Sequence, residues 1–148
     1  MEEFRKALNY SFLLLKYRIR SKKEIYDRLR RKKFSPHIIK KTLDFLKSSG
    51  YIDDDLFASV FVKEKLNKGC GKRRIYFELK RLGINSSLIK KEIESINPDI
   101  YKDIIQKIID KRYSRYKDSK NKRGKIIRYL YSRGFTREEI EDALNEYK

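Results

Sequence analysis

Apolar residues recur along this chain in one pattern used three times. Ile25, Leu29, Phe34, Ile39 and Leu43 return fifty residues later as Ile75, Leu79, Ile84, Ile89 and Ile93, and fifty-one later still as Ile126, Leu130, Phe135, Ile140 and Leu144. A small polar residue follows the central apolar one each time: Ser35, Asn85 and Thr136. The four-residue spacings on either side of that break put each set on the inner faces of two successive helices. Self-similarity at a fixed period means that one supersecondary unit is repeated, so the chain is a short array and not a single globule around a cleft. The expected fold is all-α: three tandem three-helix, helix-turn-helix-like repeats over 1–50, 51–96 and 97–148, forming an elongated array. Units of about fifty residues stand near the lower limit for burying a core alone, and neighbours are expected to lean on one another.

Polar punctuation marks the helices. In unit one, a helix over about Glu3 to Ile19 sets Phe4, Leu8, Phe12, Leu15 and Ile19 on one face. Ser21 and Glu24 form a capping box for the second helix, and Ser35 with Pro36 supplies N-cap and first turn for the third, which Gly50 ends. In unit two, Asp53 caps a helix to about Lys68, Gly69 and Gly71 break it, a second helix runs to Leu82 and Gly83, and Asn85 caps the third. Asn97-Pro98 opens a long helix with Ile104, Ile105, Ile108, Ile109 and Tyr113 that reaches about Tyr116. The second helix of unit three ends at Gly134, and Thr136 with Glu139 boxes the last, whose inner face carries Ile140, Ala143 and Leu144. The run Ile126 to Tyr131 could alternate as a strand, but its alignment with two capped helices makes it helical. Unit one has Lys33 where the others have Gly83 and Gly134. A left-handed Lys costs about 1 kcal/mol relative to Gly, so a slightly different turn is expected there.

Composition turns this array toward polyanions. The 148 residues hold 39 Lys and Arg against 21 Asp and Glu, a formal charge of +18. Such a field acts over a Debye length of about 8 Å at physiological salt and points first to nucleic acid. An interfacial membrane helix would need an unassigned apolar face, yet there is no Trp and the apolar stripes are taken up by the repeat. No apolar run approaches the roughly 20 residues of a membrane span, Met1-Glu2-Glu3 is unlike a signal peptide, and the single cysteine, Cys70, excludes an internal disulfide framework. These features predict a cytoplasmic protein in which Cys70 is structural or incidental.

Charge is unevenly divided among the helices. Second helices are basic, +5 for Lys22 to Lys33, +4 for Gly71 to Leu82 and +6 for Lys120 to Arg133. Third helices sum to +2 for Pro36 to Ser49, 0 for Asn85 to Ile96 and −3 for Thr136 to Lys148. A third helix that entered a DNA major groove could not be acidic, so the fold resembles an array of DNA readers without working as one. What the charges support is a track of basic second helices suited to a phosphate backbone or an acidic protein surface. The stretch from Lys117 through Lys125 is expected to be a mobile loop that orders on a polyanion.

Catalysis finds no support in the residues. His37 follows Pro36 at a helix start, and one His with one distant Cys makes neither a nucleophile-base pair nor a zinc set. Asp53-Asp54-Asp55 could suggest a magnesium site, but capping and the helix dipole explain three acids at a helix start. Gly69-Cys70-Gly71-Lys72 lacks the glycine spacing and the Ser or Thr of a phosphate loop. Tyr10, Tyr17, Tyr26, Tyr76, Tyr113 and Tyr129 stand at helical spacings that packing explains, with base stacking open to one or two. No enzyme, metal or cofactor is expected.

Several motifs resemble those of the RecX family of bacterial recombination regulators. Gly50-Tyr51-Ile52-Asp53-Asp54 with Phe57-Ala58 looks like the family's most recognisable motif. Lys68-Gly69 with Gly71, Arg74-Ile75, Glu78-Leu79 and Gly83-Ile84 is similar to its second, and Arg18, Arg20-Ser21, Glu24-Ile25, Leu29 and Phe34 to its first-repeat signature. Lys33 and Leu82 depart from the family pattern, and unit three matches by pattern alone. The resemblance implies an all-α, elongated protein that lodges in the groove of the RecA–DNA filament and inhibits strand exchange, ATP hydrolysis and co-protease activity; a monomer suits such a groove insert, and no membrane partner is expected. It makes Gly50, Asp53, Asp54, Phe57, Ala58, Gly71, Ile75, Leu79 and Gly83 structural. Candidate contacts to filament or nucleic acid are Arg18, Arg20, Arg28, Lys72, Arg73, Arg74, Arg123 and Arg128. A stand-alone nucleic-acid-binding module, touching single- or double-stranded DNA directly, is the alternative, and a nuclease a distant third.

Overall fold

A computed structural model describes residues 1–147. Its described residues form nine helices and no strand: α1 (Glu2–Tyr17), α2 (Lys22–Arg31), α3 (Pro36–Ser48), α4 (Asp54–Asn67), α5 (Lys72–Arg81), α6 (Ser86–Glu94), α7 (Pro98–Arg115), α8 (Lys122–Ser132) and α9 (Arg137–Glu146). They fall into three units of three, within each of which every helix packs on the other two. The caps stand where the polar punctuation put them. Ser21 with Glu24 and Thr136 with Glu139 make complete capping boxes, and Ser35, Asp53, Asn85 and Asn97 each accept a first-turn backbone N–H.

The repeated apolar set is the core. Ile25, Leu29, Ile75, Leu79, Ile89, Ile126, Leu130 and Phe135 are fully buried, and only Phe34 and Ile93 of the fifteen are left half-buried. Two separate clusters result. One belongs to unit one and takes in Ile52; the other runs without a break through units two and three, with Ile96, Tyr101 and Ile105 inside it. Units two and three thus lean on one another as expected, through α4 against α7, whereas unit one keeps its own core.

Three expectations need correction. The buried stripe of α1 is Ala7, Ser11 and Leu14; Phe4, Leu8, Phe12 and Leu15 flank it half-buried, and Ile19 lies beyond the helix, exposed. Two small residues at the centre let α1 approach its neighbours closely, and Ser11 is satisfied by donating to the Ala7 carbonyl at 2.9 Å. Lys33 does not make a different turn: its φ is +64°, beside +84° at Gly83 and +99° at Gly134. The hydrogen bonds of the three turns also correspond, with Phe34, Ile84 and Phe135 donating to Leu29, Leu79 and Leu130. Finally, the stretch from Lys117 to Lys125 is not one loop, because Asn121 caps α8 through the Gly124 N–H and places Lys122, Arg123 and Lys125 in its first turn.

Glycine is required at Gly134 for a second reason besides its dihedral. The start of α5 lies on the end of α8, where Gly71 N–H donates to the Arg133 carbonyl at 2.8 Å and Arg73 N–H to the Gly134 carbonyl at 3.2 Å. A Cβ on Gly71 would stand 2.4 Å from the Gly134 carbonyl, and one on Gly134 would stand 2.8 Å from the Arg74 backbone nitrogen. Gly134→Ala is therefore expected to lose more than ~1 kcal/mol, because strain at positive φ adds to a clash with backbone. By contrast, Lys33 is exposed at φ +64°, and Lys33→Gly should raise stability by about 1 kcal/mol through relief of left-handed strain. Urea unfolding of the two variants measures both; a Lys33→Gly variant no more stable than the parent would contradict the strain assignment.

Candidate polyanion-binding face

The three basic second helices are joined end to end. At one junction α5 begins on the last turn of α8, as above; at the other, α2 begins on the last turn of α5. There Ser21, while capping α2, donates its hydroxyl to the Leu82 carbonyl at 2.7 Å, and Lys22 N–H reaches the Asp54 carboxylate at 2.9 Å. Ser21 and Gly71 hold equivalent template positions, as do Leu82 and Arg133, so the same joint is built twice. At the α5–α8 joint orphan N–H groups of one helix meet orphan carbonyls of the other, at the α2–α5 joint the Ser21 hydroxyl takes that role, and at both the dipoles meet positive end to negative end. The result is a continuous row of basic helices, α8 to α5 to α2.

The eight predicted contact residues divide by what they already touch. Arg18 is clamped bidentately on Glu24, and its Nη1 donates to the Ile19 carbonyl at 2.9 Å. Arg20, half-buried, donates from Nε to the Leu14 carbonyl near the end of α1; burial, and then the neighbouring Arg18 charge, lower its pKa. The Lys72 ammonium sits 4.4 Å from the centre of the Tyr101 ring, while its backbone N–H donates to the Tyr101 hydroxyl. Arg73 lies over Tyr131 at 4.3 Å and donates to that residue's carbonyl. Arg74 faces Glu78 at 3.8 Å. These five side chains serve the fold or its joints. Arg28, half-buried, and Arg123 and Arg128, exposed, form no side-chain hydrogen bond or ion pair among the described residues.

Other cations matter that the motifs did not single out. Arg133 crosses the second joint, donating to the carbonyls of Lys68 at 2.7 Å and Gly69 at 3.4 Å, with the buried Cys70 sulfur 3.3 Å away. Arg31 and Arg81 occupy one template position near the ends of α2 and α5; both are exposed and neither has a side-chain partner among the described residues. Their shared register, fifty residues apart, was the available signal. Together with Arg123 and Arg128 they give every helix of the row at least one unengaged cation.

The tyrosines are largely occupied by these cations. Arg30 lies over Tyr26, Lys32 over Tyr10, Arg112 over Tyr129 at 3.6 Å and Lys122 over Tyr113. Contacts of this kind keep cationic heads fixed on a strongly charged surface and take ring faces away from base stacking. Tyr17 is 83% exposed, and Tyr76 packs edge-on against Phe77. Tyr101 links units two and three: its hydroxyl receives Lys72 N–H and donates to Glu139, which itself completes the α9 capping box. Burial, reinforced by the Glu139 charge, pushes its pKa above the normal tyrosine range.

The motif residues stand within the framework of the units. Gly50 closes α3 at φ +79° in open space, Asp53 accepts Leu56 N–H at the start of α4, and Asp54 is spent on Lys22. Phe57, Ala58, Ile75 and Leu79 are buried, and Gly83 lies under Lys23 of α2. Among the described residues no three His, Cys, Asp or Glu side chains come together to hold a metal ion, and no helix is long and apolar enough to cross a membrane. His37 is exposed.

Comparison with known proteins agrees with this architecture unit by unit. The family descriptions "RecX, first three-helix domain", "RecX, second three-helix domain" and "RecX, third three-helix domain" match residues 7–46, 53–91 and 99–144. The regulatory protein RecX of Caldanaerobacter subterraneus subsp. tengcongensis is 35% identical over 144 residues, covering 97% of this chain and 71% of that protein. That of Clostridioides difficile is 32% identical over 98% of this chain and 69% of its own. The crystal structure of RecX from Lactobacillus salivarius superposes with a TM-score of 0.87 over 98% of this chain and 96% of that one, at 23% identity, which is a likeness of fold. With a three-helix match in each unit and relatives above 30% identity along nearly all of its length, this chain belongs to the RecX family.

Proposed function

We propose that this protein regulates RecA by laying its row of basic second helices along the groove of the RecA–DNA filament, where it restrains strand exchange, ATP hydrolysis and co-protease activity. It acts by binding, as a cytoplasmic monomer without a catalytic site or cofactor of its own. The observation that carries the reading is the row itself: three basic helices joined end to end, each with unengaged cations, beside third helices whose charge falls from +2 through 0 to −3. A filament groove is a long anionic track, and a row of this kind matches its charge along its length. The acidic α9 argues against insertion of third helices into a major groove, because phosphate repulsion opposes it.

Binding to bare DNA as a stand-alone module is the second reading, favoured by the size of the charge excess. RecA's single-strand-dependent ATPase, followed while this protein is added at substoichiometric amounts, separates the two. Filament regulation predicts inhibition long before the free DNA is titrated away; inhibition that begins only at DNA-equivalent amounts belongs to the second reading.

Residue choice sharpens the test. Arg81→Glu with Arg128→Glu removes unengaged cations and leaves both joints untouched, so filament affinity should fall by about tenfold at low salt with unfolding unchanged. Arg73→Glu with Arg74→Glu weakens binding and also loosens the second joint, and its unfolding transition should move to lower urea. Unchanged affinity in the first double variant would show that the row does not face the filament. Binding to free single strands should lose affinity with a log-log salt slope near −0.7 for each phosphate contact, so a flat response would remove the electrostatic premise.

A further inference from the structure

The two joints repeat one geometry but differ in how firmly they are held. The second is tied from several directions: Gly71 and Arg73 N–H to α8 carbonyls, Arg73 Nη2 to Tyr131, Arg133 to Lys68 and Gly69, and Lys72 through Tyr101 to Glu139. Beneath these bonds one hydrophobic core passes from unit two into unit three. Opening that joint would bring Ile96, Tyr101 and Ile105, all buried, into water.

The first joint has neither feature. Among the described residues only the Ser21–Leu82 and Lys22–Asp54 hydrogen bonds cross it, and no ion pair does. The unit-one core closes on itself, with Ile52 as its last member and Tyr51 held edge-on against Phe12 at 4.9 Å. Only Asp53, in extended conformation, separates that core from α4. Clefts open on both sides of the contact, about 270 Å³ between Ile19, Phe61 and Leu82 and about 340 Å³ between Lys22, Ile52 and Leu88.

We propose that unit one is a rigid body that pivots on units two and three, with the Ser21–Leu82 contact as fulcrum and Ile52–Asp53 as hinge. Rotation breaks two hydrogen bonds, both replaceable by water, and exposes little apolar surface, so local opening here lies at the low end of the stability scale. The α2 segment of the basic row then changes its direction relative to α5 while α5 and α8 keep theirs. Curvature is adjustable at one end of the array, whatever polyanion the row follows.

Spin labels on the 148-residue chain test this. His37→Cys with Lys90→Cys spans the first joint, and Lys90→Cys with Asp142→Cys the second; all three sites are exposed, and Cys70, 2% exposed, stays unlabelled. Distance distributions by double electron–electron resonance should be about twofold broader across the first joint than the second, as expected for a locally opening contact. Ser21→Ala with Asp54→Ala should broaden only the first, and Arg133→Ala only the second. Equal widths in the parent chain, or a first-joint width indifferent to loss of both bonds, would overturn the proposal.

Discussion

A backbone-to-backbone approach organises this molecule: the first turn of one second helix lies on the last turn of the next, at the α5–α8 joint close enough that neither contact glycine could carry a Cβ. Helix ends leave donors and acceptors without intrahelical partners, and burying them unsatisfied is costly. At the α5–α8 boundary the two kinds of orphan satisfy each other, and at the α2–α5 boundary the Ser21 hydroxyl satisfies the Leu82 carbonyl. The same step that links the units also lines up their basic helices, so the linear order of charge is a by-product of how helix ends are paired. A surface with +18 net charge repels itself. Directed hydrogen bonds and cation–π contacts hold its cations in a fixed pattern where hydrophobic burial alone would not.

Much of this was legible in the chain, because repetition supplies internal replicates. A single Ser21-to-Glu24 spacing is a weak capping signal, but it gains force when Thr136 and Glu139 recur at the corresponding place. The core was legible for the same reason, with Ile25, Ile75 and Ile126 each closing their unit from one template position. Where a helix stood outside the template, reading by period alone slipped. In α1 the bulky Phe4, Leu8 and Phe12 drew attention from Ala7 and Ser11, whose small size is what allows close helix packing.

The site was less legible than the fold, and the reason is physical. An arginine in a motif reads as a contact residue whether it points to a partner or to its own backbone. Arg73 and Arg133 hold a joint, Arg18 holds a capping carboxylate, and the sequence carries no mark that separates them from Arg81 or Arg128. Only the position of the next unit does so, and that depends on contacts between residues some sixty apart, such as Arg73 with Tyr131. Asp54, Gly71 and Gly83 stand at the joints, where close contact between units restricts what each residue can be, whereas the exposed Arg81 and Arg128 meet no such restriction.

Lys33 shows that the turn closing a second helix does not by itself demand glycine. Its backbone takes the left-handed shape at φ +64° that Gly83 and Gly134 also take, and its side chain stands exposed. At Gly83 and Gly134 the place of a Cβ is already occupied, by Lys23 and by Arg74 of the helix seated on that turn. Glycine at this template position therefore marks a turn on which another unit rests, and the identity of one residue tells a covered turn from an open one.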